Sequence, residues 1–175
     1  MEFSYWSVDN ARDTGWNMLS SALRAKALRK KIQNAKCRMR AIRSIERGLL
    51  VHSTYALISI RDTGAKRARI PKPTALRCVL HLMFDDAEPS DAMPLPSHVK
   101  AMSRSQARQI WRFVDRHKAN VGAFVVHCHQ GMSRSPAVAA ALAVYLGLDE
   151  QPILRKYQPN RYVYDLMRRT MPGGC

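Results

Sequence analysis

Residues 125–136 read VVHCHQGMSRSP, and within them Cys128 and Arg134 bracket five residues in a Cys-x5-Arg-Ser spacing. The preceding run, residues 122–126 (GAFVV), is continuously apolar, the pattern of a buried parallel strand. Residues 136–145 form an Ala-rich helical pattern with Pro136 in the first turn and Gly147 at the end. A loop between strand end and helix start turns successive backbone N–H groups into one concavity, beside the positive end of the helix macrodipole. A phosphate dianion fits such a nest. Gly131, in mid-loop, lets the backbone turn left-handed or approach a ligand closely. Arg134 offers a planar two-pronged contact to phosphoryl oxygens. Thiols beside helix N-termini and cations ionise at roughly pH 3.5–7.5 instead of about 8.5. Cys128 is therefore expected to attack, as a thiolate, the phosphorus that its own loop holds. Ser135 could hydrogen-bond the sulfur and ease its departure later, and His127 is expected to fix the loop through backbone hydrogen bonds rather than to act as a base.

Spacing alone is weak, because residues 37–44 (CRMRAIRS) repeat it. That copy lacks a glycine, an apolar strand before it and a small-residue helix after it. Its bulky side chains suit a basic helix, and Cys37 reads as a chance match. The copy at Cys128 resembles the signature of the cysteine-dependent phosphatase superfamily, His-Cys-x2-Gly-x2-Arg-Ser/Thr, at His127, Cys128, Gly131, Arg134 and Ser135. The tail Ser133-Arg134-Ser135-Pro136 is most similar to dual-specificity phosphatases and small bacterial-type tyrosine phosphatases. Residues 55–60 (YALISI), 81–86 (HLMFDD) and 158–162 (QPNRY) resemble segments that flank the loop in those families. The resemblance spans about residues 40–170 and implies phosphomonoester hydrolysis through a phosphocysteine intermediate, without a metal or other cofactor. Its substrate-binding residues would be His129, Gln130, Gly131, Met132, Ser133 and Arg134.

Expulsion of an alkoxide or phenoxide needs a proton donor. In the superfamily this is an aspartate after a strand upstream of the cysteine, and here Asp86 lines up best, followed by Asp85 and, more distantly, Asp91. Either member of the Asp85–Asp86 pair could instead cap a turn or pair with an arginine. Asn160, after Pro159, resembles a family asparagine that braces the active-site loops, and equally suits a helix N-cap. His127, Cys128 and His129 suggest metal ligation at first sight, but neighbours in a strand point to opposite faces and no further ligand cluster accompanies them, so no zinc is expected. His52, His81, His98 and His117 read as surface or packing residues. Cys78 reads as a buried, inert thiol, with a redox partnership to Cys128 as the alternative.

The elements that must position these residues follow from periodicity. Residues 55–60 are a β-prone run closed by Asp62-Thr63-Gly64, residues 76–82 (LRCVLHL) are a second strand, and a Pro-rich loop follows with Pro89, Pro94 and Pro96. Apolar positions at Val99, Met102, Ala107, Ile110, Trp111 and Val114 predict a long helix over 98–119, and shorter helices are expected near 149–156 and 160–170. Strands alternating with helices predict an α/β fold: a central, mostly parallel sheet of four to five strands flanked by helices, as in phosphotyrosine phosphatases. Met18, Leu19, Ala22, Leu23, Leu28 and Ile32 predict an amphipathic helix over 15–36, hence a basic helical extension over 1–38 ahead of a phosphatase-like domain over 39–175.

The chain has 175 residues, 29 Lys+Arg and 13 Asp+Glu, a formal charge of +16. That length fits one domain with a real core. At 46% hydrophobic and 24% charged residues, wholesale disorder is excluded. The longest apolar stretch, residues 137–148, falls short of the about 20 residues of a membrane span. The opening MEFSYWSVDN has two acids and no apolar run, so no secretory signal is expected, and four widely spaced cysteines fit a reducing, cytoplasmic setting. Ten Lys or Arg residues against one acid, Glu46, lie over 24–47. Such a block can bind nucleic acid or another anionic surface weakly, though a solvated helix explains it better. The expected function is a protein tyrosine or dual-specificity phosphatase acting on a phosphoprotein. The alternatives are an RNA 5′-triphosphatase or polyphosphate-directed enzyme of the same superfamily, and a non-catalytic phosphoprotein-binding module. A phosphoinositide substrate is disfavoured, since His129, Gln130, Met132 and Ser133 include no lysine.

Overall fold

A computed structural model describes residues 54–70, 74–90 and 94–173 in full and the backbone pairing of residues 36–41. The expected N-terminal helix, most of the basic block, His52 and Asp91 lie outside the described residues. Among the described residues four strands, β1 (Lys36–Ala41), β2 (Tyr55–Arg61), β3 (Leu76–Met83) and β4 (Ala123–Cys128), form one parallel sheet in the order β1-β4-β2-β3. β2 and β4 are central and almost wholly buried, which is why they read as unbroken apolar runs. β3, on the edge, is only half-buried.

The segment at Cys37 is a strand and not the helix expected of it. Residues 36–41 alternate basic and apolar residue types (KCRMRA), a period of two that fits a β-strand. The density of arginine masks this period when the segment is read with its neighbours. β1 runs parallel to β4 with Ala41 opposite Cys128.

Helix α1 (Arg104–His117) packs through Ala107, Ile110, Trp111 and Val114, spaced for one face. It starts later than the expected 98 because Ser103 caps it: the Ser103 hydroxyl accepts from the Gln106 N–H at 3.2 Å, and the Ser103 N–H donates to Gln106 Oε1 at 2.8 Å. Helix α2 (Arg134–Tyr145) is buried from Arg134 to Ala143, so its apolar residues show no polar face and its alanines allow close approach to the sheet. Two short helices follow, α3 (Gln151–Lys156) and α4 (Arg161–Arg169), the latter buried through Val163, Leu166 and Met167. The main core joins Ile58, Ile60, Phe84, Trp111, Phe124, Val126 and Leu142 between the sheet and α1, α2 and α4. No helix among the described residues is long and apolar enough to cross a membrane.

Candidate active site

All described strands end on one side of the sheet, and there Asp62 follows β2, Asp85 and Asp86 follow β3, and Cys128 ends β4. Cys128 is the last residue of β4 and 2% exposed. The chain then turns through Gly131, at φ 78°, where an L side chain would be strained. The turn brings the Gly131 N–H to 3.3 Å from Cys128 Sγ, and the Ser135 hydroxyl, in the first turn of α2, lies 3.2 Å from the same sulfur. The sulfur thus sits at the floor of the loop, held by a backbone and a side-chain contact. The backbone N–H groups of Gln130, Met132 and Ser133 find no acceptor among the described residues. Ser133 precedes α2 but makes no capping bond, because its hydroxyl donates to Asp86 Oδ1 at 2.7 Å. The helix N-terminus is thereby left to face the loop with its positive end uncapped by a side chain.

Arg134 is buried, and one edge of its guanidinium is fixed: Nη1 donates to the Phe84 carbonyl at 2.7 Å and meets Asp62 Oδ1 at 2.6 Å. Its Nε is buried with no hydrogen-bond partner, with Asp86 Oδ2 4.0 Å away. A buried guanidinium N–H without an acceptor is costly unless an anion serves it.

Asp85 and Asp86, adjacent in sequence, have separate surroundings. Asp85 accepts backbone N–H bonds on both oxygens, from Thr63 at 2.8 Å and from Lys100 at 2.7 Å, and its own N–H donates to the Lys100 carbonyl at 2.7 Å. Burial pushes its carboxyl up, but the N–H donors of Lys100 and Thr63, with the charge of Arg134, outweigh that and hold it below the usual carboxylate value. Asp85 is a brace between the end of β3 and the loop before α1. Asp86 is the exposed member, with its side chain 40% accessible, and turns toward the loop. Its Oδ1 accepts from Ser133 and from Asn160 Nδ2 at 2.8 Å. Asn160 bonds in two directions. Its Oδ1 caps α4 by accepting from the Val163 N–H at 2.8 Å, while Nδ2 holds Asp86 and its N–H donates to the Ser133 carbonyl at 3.2 Å.

His127 is buried behind the loop, His129 and Gln130 are exposed at its mouth, and Met132 projects from its rim with 47% exposure. Among the described residues no group of three or more His, Cys, Asp or Glu side chains could hold a metal ion. Register removes Cys78 as a redox partner for Cys128. Cys78 pairs with Ala56, which pairs with Phe124, four residues before Cys128 and two strands away. At about 3.3 Å per residue and 4.8 Å per strand, the two Cα atoms are on the order of 16 Å apart, far beyond disulfide reach. Burial pushes the Cys78 thiol up, as befits an inert sulfur. Asp62 is a site residue that the sequence signals only as part of a turn. The available clue is its place just after a parallel strand, on the side where Cys128 and Asp86 also follow strands.

No protein-family model matches the chain, and no curated protein matches it by sequence. Solved structures do. The crystal structure of human tyrosine phosphatase-like serine/threonine/tyrosine-interacting protein is similar with a TM-score of 0.53 at 18% identity, covering 75% of this chain and 87% of that one. The active form of Tk-PTP is similar with a TM-score of 0.38 at 20% identity, over 82% of this chain and 85% of that one. The first of these likenesses shows the fold: the chain has the α/β fold of that tyrosine phosphatase-like protein.

Proposed function

We propose that the protein is a phosphomonoester hydrolase, a protein tyrosine or dual-specificity phosphatase that works through a phosphocysteine. The observation that carries this reading is the buried Cys128 sulfur under a loop whose Gln130, Met132 and Ser133 amides, like the buried Arg134 Nε beside it, lack acceptors among the described residues. These donors converge where the equatorial oxygens of a phosphoryl group would sit, and such fixed donors stabilise the charge of the transition state. Cys128 Sγ attacks phosphorus in line with the leaving oxygen. The S–P bond forms as the P–O bond breaks, and Asp86 gives its proton to the departing oxygen. Asp86 then takes a proton from water, whose oxygen attacks phosphorus and expels the sulfur. The Ser135 hydroxyl, 3.2 Å from Sγ, stabilises that sulfur as it leaves. The bonds from Ser133 and Asn160 to one Asp86 oxygen leave the other to meet the leaving group.

Phosphate release from a panel of phosphotyrosine, phosphoserine and phosphothreonine peptides and a 5′-triphosphorylated RNA, with wild type and Cys128→Ser, tests the assignment. Turnover of the peptides by wild type alone is expected. RNA turnover without peptide turnover would move the protein to polyphosphate ends, and binding of phosphopeptide without turnover would make it a recognition module.

A further inference from the structure

A cavity of about 400 Å³ lies beside β3, away from the Cys128 loop, lined by Arg67, Ile70, Arg77, Cys78, Val79 and His81 among others. Successive side chains of a strand point to opposite faces, so a cavity touching Arg77, Cys78 and Val79 together straddles the strand's edge. Among the described residues β3 is the last strand on its side, and its outer margin pairs with no other strand. Positive charge converges on it. Arg67 and Arg77 are exposed at the cavity, and burial followed by the charges of Arg67 and Arg61 holds the His81 imidazole below its usual value. No acid among the described residues lines the cavity. β3 runs from there toward the catalytic loop, ending at Met83, just before Phe84, whose carbonyl holds Arg134.

From this juxtaposition we infer that the β3 edge is a docking groove for an extended acidic segment of the phosphoprotein substrate, added as a further strand. Main-chain bonds to β3 supply affinity, and pockets for alternate side chains supply specificity. Arg77, Val79 and His81 share one face, so acidic residues at every second position, with small apolar residues between, match the groove. The naming of the partner as a substrate rests on the phosphatase reading above; the groove itself does not.

The test uses the full chain in two arms. In the first, a fluorescent non-phosphorylated peptide with alternating acids is titrated against Cys128→Ser and against Cys128→Ser carrying Arg67→Ala and Arg77→Ala. Loss of two partly exposed ion pairs should weaken binding roughly five- to tenfold. A peptide of the same composition with its acids adjacent should bind less well. In the second arm, kcat/KM is compared for phosphopeptides with and without that extension. The extension should help wild type and not Arg67→Ala/Arg77→Ala, while turnover of para-nitrophenyl phosphate is the same in both. Equal binding by the two proteins in the first arm, or equal binding of alternating and adjacent acids, overturns the groove. So does an RNA of similar charge that binds more tightly and depends on the same arginines. Binding as expected in the first arm with no turnover in the second leaves the groove standing and removes the phosphatase.

Discussion

At the scale of single residues, the paired aspartates separate by what their oxygens accept. Asp86 faces the loop, so Asp86→Asn should lower kcat on phosphotyrosine peptides by about 10²–10⁴-fold. The first-turnover burst of para-nitrophenolate from para-nitrophenyl phosphate, whose leaving group departs without a proton, should suffer far less, although steady turnover stalls at hydrolysis; equal losses in the burst and in peptide cleavage would remove Asp86 as the acid. Asp85 should behave differently. Its folded value lies below the ordinary one, so its contribution is complete above the unfolded carboxylate value and is lost as pH falls through the folded one. Asp85→Asn should therefore destabilise at neutral pH, by about 1–3 kcal/mol for the disturbed N–H acceptors, and the deficit should shrink below pH about 4. Urea unfolding at the two pH values reads this directly. The sequence placed both aspartates after a strand; only the bonds from Thr63 and Lys100 tell them apart, and neither donor is near in sequence.

At the scale of elements, the site depends on how β4 passes into α2. Gly131 holds φ 78°, and Gly131→Ala should cost about 1–2 kcal/mol if the loop keeps its shape. Activity should fall much more than thermal stability, because a relaxed loop re-aims the amides. Comparable modest losses in both would contradict it. Asn160→Ala removes a helix cap worth about 1 kcal/mol together with the donor that holds Asp86, so stability and kcat should fall together. Strand, loop and helix at 122–145 were legible because apolar run, glycine and alanine-rich stretch each agree with one local structure. β1 was not. Its period of two spans six residues in a stretch where basic side chains fit either a strand or a helix, and its pairing to β4 bridges more than eighty residues of chain.

At the scale of the whole molecule, the sheet order brings together residues that no local pattern joins. Asp62 follows β2, Phe84 follows β3 and Arg134 opens α2, yet one guanidinium nitrogen holds all three together. Such a contact is invisible in sequence because it depends on which strands are neighbours. The alternation of strands and helices was enough to predict the class of fold, and the packing of α2 explains why. Leu142 is fully buried between sheet and helices, and Leu142→Ala should cost about 2–5 kcal/mol, read as a lowered urea midpoint with an unchanged slope. The formal charge of +16 adds a long-range effect: kcat/KM for phosphopeptides should fall as salt rises from low to physiological levels. A salt-independent rate would mean that steering plays no part.

The most direct test is to trap the intermediate. In Asp86→Ala, para-nitrophenolate still leaves but hydrolysis lacks its base, so the phosphoryl group should remain on sulfur. Acid quenching followed by peptide mass spectrometry should find one phosphoryl group on the peptide containing Cys128, and none in Cys128→Ser. Turnover that persists in Cys128→Ser, or a phosphoryl group carried by another residue, would contradict the account.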